Sequence, residues 1–111
     1  MSLEFEVGTR GDIAVVTLIG RIDRDADTAI EAAYTAAIAG APAALELDFN
    51  DVEYINSTGI ALIVGLLARA RAQGVSIRAT GLTPHYVHIF EITRLSDFIE
   101  IVQPAEAQGE K

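Results

Sequence analysis

The sequence predicts a small α/β domain. Its mixed sheet has about five strands, opened by an N-terminal hairpin and continued by parallel crossovers, with helices mainly on one face. Three observations lead there. First, Leu3, Phe5 and Val7 alternate with Glu4 and Glu6, and residues 13–19 follow as a run apolar on both faces. Period two marks strands, and a strand apolar on both faces belongs inside a sheet. Second, helix-type and strand-type stretches then alternate, the pattern of parallel neighbours joined by right-handed crossovers. Third, residues 52–68 hold a turn and then a helix with no polar side chain from Ile60 to Ala68. A helix apolar all round has to be covered on more than one side.

In chain order, the edge strand is followed by a turn over residues 8–12. Its Arg10-Gly11-Asp12 triplet matches an adhesion motif, but turn composition accounts for it. Gly20-Arg21-Ile22-Asp23 leaves the second strand, and Asp25 or Asp27 is placed to cap the first helix. Ala26, Ile30, Ala33, Ala37 and Ile38 form that helix's apolar stripe, which Gly40 and Pro42 end. Leu45, Leu47 and Phe49 alternate with Glu46 and Asp48, giving a strand with one dry face. Asn50-Asp51 reads as a turn into the central stretch. The second helix runs to about Gln73, where Arg69 and Arg71 suit the dipole and Gly74 stops it. Residues 75–79 form a short strand. Thr83-Pro84 is a cap with proline at the first helical position, and a short helix follows to about Thr93. Residues 98–102 are read as a last strand.

The 111 residues suit one domain, 1–111, with a core of about 3–102 and a tail at 103–111. No apolar run approaches the roughly 20 residues that span a membrane. Glu4 and Glu6 near the start do not fit a secretory signal, so a cytoplasmic location is expected. The absence of cysteine excludes disulfides, thiol catalysis and Cys-ligated metal. A net charge of −8 argues against nucleic acid, whose phosphates call for clustered Lys and Arg.

Asn56, Ser57 and Thr58 are residue types that accept hydrogen bonds at a helix start, and Gly59 follows them. Ile60, Ala61 and Val64, near the first turn, are expected to stay partly open for a partner. His85, His88 and Glu91 fall three apart on the last helix, too few ligands for a metal site. There is no phosphate-cradling Gly-rich loop and no Gly-x-Ser-x-Gly elbow, so no enzyme and no cofactor is expected.

The run Val52-Glu-Tyr-Ile-Asn-Ser-Thr-Gly-Ile60 resembles the signature of STAS domains, and specifically that of the bacterial anti-sigma factor antagonists. Gly20-Arg-Ile-Asp23, Leu47-Asp48, Gly81-Leu-Thr-Pro84 and Ile89-Phe-Glu-Ile92 agree with other parts of the family pattern, so the likeness covers roughly residues 3 to 102. The resemblance implies a STAS-like fold and a protein-binding switch. Such a protein binds an anti-sigma factor that is also a serine kinase, is phosphorylated by it, and is restored by a cognate phosphatase. The matched phosphoacceptor is Ser57, with Thr58 a lesser candidate. Asp23 matches an acidic residue beside the site and Gly59 the glycine that opens the helix. The implied docking surface is Asp23, Asn56, Ser57, Thr58, Gly59, Ile60, Ala61 and Val64. One departure stands out: the family pattern has aspartate where this chain has Asn56, which keeps the capping oxygen and loses the charge. Stand-alone STAS proteins also resemble accessory subunits of phospholipid-transport ABC systems, and stress-signalling scaffolds, neither of which needs the phosphorylation. No direct membrane insertion is implied, and the oligomeric state is left open.

Overall fold

The computed structural model describes residues 3–102. Five strands lie side by side in the order of the sequence: β1 (Glu4–Arg10), β2 (Ile13–Ile22), β3 (Ala44–Ile55), β4 (Ser76–Thr80) and β5 (Glu100–Ile101). β1 and β2 are antiparallel, and all later neighbours are parallel. Parallel neighbours need crossovers, supplied by α1 (Asp27–Ile38), α2 (Ser57–Ala72) and α3 (Pro84–Ile92). This is the mixed sheet that the sequence predicts. The expected tail at 103–111 lies outside the described residues.

The core forms where the dry sides of the strands meet the helices. Val16 of β2 pairs with Leu47 of β3, and Leu47 with Ala79 of β4, so these side chains share one face. Above them lie Ile30, Ala33 and Ala37 of α1, Ile63, Leu66 and Leu67 of α2, and Phe90 of α3, all buried. Phe90 meets Phe49 edge-on, with ring centroids 6.1 Å apart. Each large side chain so buried stabilises the fold by about 1.5–3 kcal/mol. Small residues on α1 let it approach α2 and the sheet, and buried Tyr34 fills the space they leave. Its hydroxyl donates to the Gln73 amide oxygen just beyond α2, which meets the need of a buried phenol for a polar partner.

The other face of the sheet is mixed: Ile13, Val15 and Ile19 of β2 lie half-buried there beside charged side chains of the neighbouring strands. Glu46, only 8% exposed, accepts from Arg10 at 2.6 Å, and Arg78 lies 3.9 Å from the same carboxylate oxygen. The hydrogen bond to Glu46, and then its charge, hold Arg10 above its ordinary pKa. The Arg10-Gly11-Asp12 triplet is thus a tight turn plus an ion pair.

Several boundaries differ from the sequence reading, each for a local reason. Gly8 stays in β1, and only Gly11-Asp12 turns; Gly11, at φ +65°, takes the first position of a II′-type hairpin. β2 continues through Gly20-Arg21 to Ile22, with a register shift that absorbs the glycine. β3 passes straight through Asn50-Asp51. The register slips between Thr17 and Ile19, and the bulge holds residues that would otherwise turn. Neither Asp25 nor Asp27 caps α1, whose N-cap position is Ala26. Instead Asp23 caps a 3-10 turn over Arg24–Ala26 that leads into the helix. At the far end, Leu95–Asp97 forms another 3-10 turn, which leaves Phe98 outside the strand and 53% exposed.

Gly65, in the middle of α2, is exposed, and a Cβ there would meet nothing within 4 Å. Gly65→Ala is therefore expected to raise stability by about 0.5–1 kcal/mol, because alanine loses less backbone entropy in a helix. A urea titration checks this as a higher midpoint with unchanged slope.

Candidate functional site

Only Asn56 separates the end of β3 from the start of α2. Its backbone is extended, at φ −101° and ψ −176°, and its Oδ1 accepts from the Gly59 N–H at 2.8 Å. Its carbonyl accepts from the Ile60 N–H at 2.9 Å. Of three adjacent residues able to cap, the asparagine does so. Ser57 is then the first helical residue and Thr58 the second, so Ser57 is not the N-cap that its type would allow. Among the described residues no side-chain hydrogen bond engages either hydroxyl, and both residues are exposed. N–H groups at these positions have no partner within the helix. The Ser57 hydroxyl therefore stands free beside unpaired donors at the positive end of the helix dipole.

Contacts from distant parts of the chain hold the turn. The Asn56 N–H donates to the Ile22 carbonyl at 3.2 Å, and the Ile55 N–H donates to the Tyr86 hydroxyl at 3.0 Å. Gly59 is buried against the end of β2. A Cβ on it would lie 1.9 Å from the Ile22 carbonyl oxygen and 2.7 Å from the carbonyl carbon. The head of α2 is thus fixed by backbone against backbone, at a distance only glycine allows.

Asp23 follows Ile22 directly and lies at the side of this turn. Its carboxylate accepts from the Asp25 N–H at 3.0 Å and sits 3.7 Å from Arg21 Nε. It has a structural duty as a cap, and it remains partly exposed. Arg21 extends over the Tyr54 ring, 4.5 Å from the centroid. This cation–π pair, with Tyr54 39% exposed, forms a rim at the ends of β2 and β3. Sequence reasoning missed both residues. They face each other because β2 and β3 pair Arg21 with Tyr54, a register set only after two irregularities.

α2 has two unlike sides. Gly59, Ile63, Leu66, Leu67 and Ala70 are buried. Ser57, Ala61, Val64, Gly65 and Ala68 are exposed, and their spacing places them along one stripe of the helix. Val64 is 46% exposed, and Ile60 is half-buried at the flank. Of the site residues read from sequence, Asn56 to Gly59 form the turn, Ala61 and Val64 continue from Ser57 down the stripe, and Asp23 borders it. His85, His88 and Glu91 are exposed on α3, where His85 packs edge-on against Tyr86 with centroids 4.9 Å apart.

A family model described as Mlab, STAS domain matches residues 5–103. The chain is similar to the anti-sigma-B factor antagonist of Bacillus subtilis (strain 168), with 34% identity over 62 residues, 56% of this chain and 57% of that protein. It spans about half the length of the curated relatives it matches. In structure it is similar to an anti-sigma factor antagonist from Mycobacterium paratuberculosis, with TM-score 0.71 and 24% identity over 89% of this chain and 84% of that one. It is also similar to the Bacillus cell fate determinant SpoIIAA in its phosphorylated form, with TM-score 0.65 and 21% identity over 96% and 97% of the two chains. At these identities the structural likeness carries the fold.

Proposed function

The chain belongs to the STAS domain family, and from that premise we propose that it is an anti-sigma factor antagonist, a binding protein switched by phosphorylation of Ser57. The observation that carries the proposal is the free, exposed Ser57 hydroxyl at the head of an apolar stripe on α2. The names of the curated relatives support the same reading. The partner is an anti-sigma factor with serine-kinase activity, which docks on the turn from Asn56 to Gly59, on Ile60, Ala61 and Val64, and on the border at Asp23. Thr58, the second free hydroxyl, is the lesser acceptor.

The switch follows from electrostatics. The Ser57 oxygen attacks the γ-phosphorus of ATP, an O–P bond forms, ADP leaves, and the hydroxyl proton passes to a base on the kinase. The phosphoserine carries a charge of about −1.5 to −2. Its own helix tolerates that charge, because the dipole and the open N–H groups of the first turn favour an anion. The docked partner does not, since the charge enters a surface matched to small apolar side chains. A phosphatase that hydrolyses the ester restores binding. With Asn56 in place of aspartate, no carboxylate at the cap repels the new phosphate.

The test is the intact mass of the full chain recovered from host lysate before and after ATP is added. One added phosphate, mapped to Ser57 and absent from Ser57→Ala, is the expected result. No added mass, or a phosphate elsewhere, would overturn it. A second reading, an accessory subunit of a phospholipid-transport ABC system, is favoured by the Mlab description of the matching family model and by the neutral cap at Asn56. It is the outcome if an ATPase co-purifies on α2 while the mass stays constant.

A further inference from the structure

The outer edge of β1 is open, since among the described residues no strand pairs with it. We infer that this edge joins a second copy of the chain, antiparallel and centred on Val7, to continue the sheet across two molecules. The inference is independent of the role of Ser57.

The hairpin decides which backbone groups are free. Residues flanking a two-residue loop exchange hydrogen bonds, and such pairs then alternate with non-bonded ones. Arg10 and Ile13 flank the loop, and the pairing continues without irregularity to Glu4 and Ile19. Glu4, Glu6, Gly8 and Arg10 therefore bond to β2, while Phe5, Val7 and Thr9 turn their N–H and C=O groups outward. A two-fold axis at Val7 sets these outward groups opposite their own copies: Val7 faces the partner's Val7, and Phe5 faces the partner's Thr9. The strand is then paired along its whole length.

Charge selects the same register. With the axis at Val7, Glu4 stands opposite the partner's Arg10, and Arg10 opposite the partner's Glu4. An axis at Glu6 would set Glu6 against itself, and one at Phe5 would set Glu4 against Glu6. Like charges directly opposite are destabilising. An axis at Gly8 would leave Glu4 and Phe5 without partners. Arg10 uses only Nη1 and Nη2 on Glu46, and a guanidinium has further N–H donors to give. Val7, 37% exposed on the helix side, becomes covered by its own copy. A single pair of short strands buries less than the roughly 1,000 Å² of a firm interface, so the dimer is weak and concentration-dependent.

Sedimentation of the full chain from about 10 μM to about 1 mM, the range of weak complexes, tests the inference. A monomer at the low end and a growing dimer at the high end are expected. Val7→Pro removes an outward N–H that β2 does not use, so it should abolish the dimer and keep the thermal midpoint. Glu4→Lys sets like charges opposite each other and should weaken the dimer about tenfold, a loss that eases with salt. The chain has no cysteine, so a single introduced thiol reads the register whatever the proline does to folding. In Val7→Cys the paired Cα atoms stand about 5.5 Å apart, within disulfide reach, and oxidation should link the copies. In Thr9→Cys they stand about 14 Å apart and should not link. A monomer throughout the range, or linkage of Thr9→Cys as fast as that of Val7→Cys, would overturn the inference.

Discussion

Gly59→Ala is expected to destabilise the protein by about 3 kcal/mol, the upper part of the usual range for overpacking. Propensity argues the other way, since alanine is favoured over glycine within a helix by about 1 kcal/mol. Space decides. The added methyl would lie 1.9 Å from the Ile22 carbonyl oxygen, and that oxygen already accepts from the Asn56 N–H. The methyl can be admitted only if α2 lifts from the end of β2, which breaks the Asn56 bond and loosens the buried contacts of Ile63 behind it. Thermal unfolding by circular dichroism should show the midpoint falling by more than about 10 °C for a domain of this size. The contrast with Gly65→Ala on the same helix, where the sign reverses, removes helix propensity as the explanation. An unchanged midpoint for Gly59→Ala would mean that α2 and β2 do not meet as closely as described.

Ser57→Glu is expected to weaken binding of the proposed anti-sigma partner about 100-fold while the thermal midpoint stays within about 2 °C. The two halves rest on different physics. For the fold, a carboxylate at the first helical position sits in the favourable field of the dipole and replaces a hydroxyl that no side chain holds. For the complex, an unpaired charge at the centre of a docked surface costs a few kcal/mol, and about 2.7 kcal/mol corresponds to that hundredfold loss. Ser57→Ala should bind as the parent does and fail to release on addition of ATP. Calorimetric titration and a melt of the same preparations read both quantities. Loss of binding together with collapse of the fold would put the serine in a structural role. Full binding by Ser57→Glu would move the docking surface away from this turn.

Much of this arrangement is written in local pattern. The alternation at Leu45, Leu47 and Phe49, the Thr83-Pro84 start of α3 and the Gly74 stop of α2 each depend on neighbours a few residues away, and the structure has them where the sequence puts them. What escaped depends on distant partners. Asn50-Asp51 has turn chemistry, but a bulge opposite β2 keeps it in a strand. Asn56, Ser57 and Thr58 are equivalent as cap types. The choice among them is made by where β3 stops, which the Ile55 bond to Tyr86, on another helix, helps to set. Tyr34 is absent from an apolar stripe counted in aliphatic residues, yet it is buried because Gln73 answers its hydroxyl. Arg21 and Tyr54 become neighbours only through strand register. At the site, the residue types were legible, while their division into a cap and a free hydroxyl was not.

The close seating of Gly59 on Ile22 has a consequence for how such proteins diversify. α2 is located by main-chain atoms at its head and by the residues it buries, so Ala61, Val64, Gly65 and Ala68 are not needed to hold it in place. Side chains along that strip, the proposed docking surface, can be rewritten residue by residue while the helix beneath stays where it is. Two members of the family can thus share a single skeleton and still present different surfaces along α2.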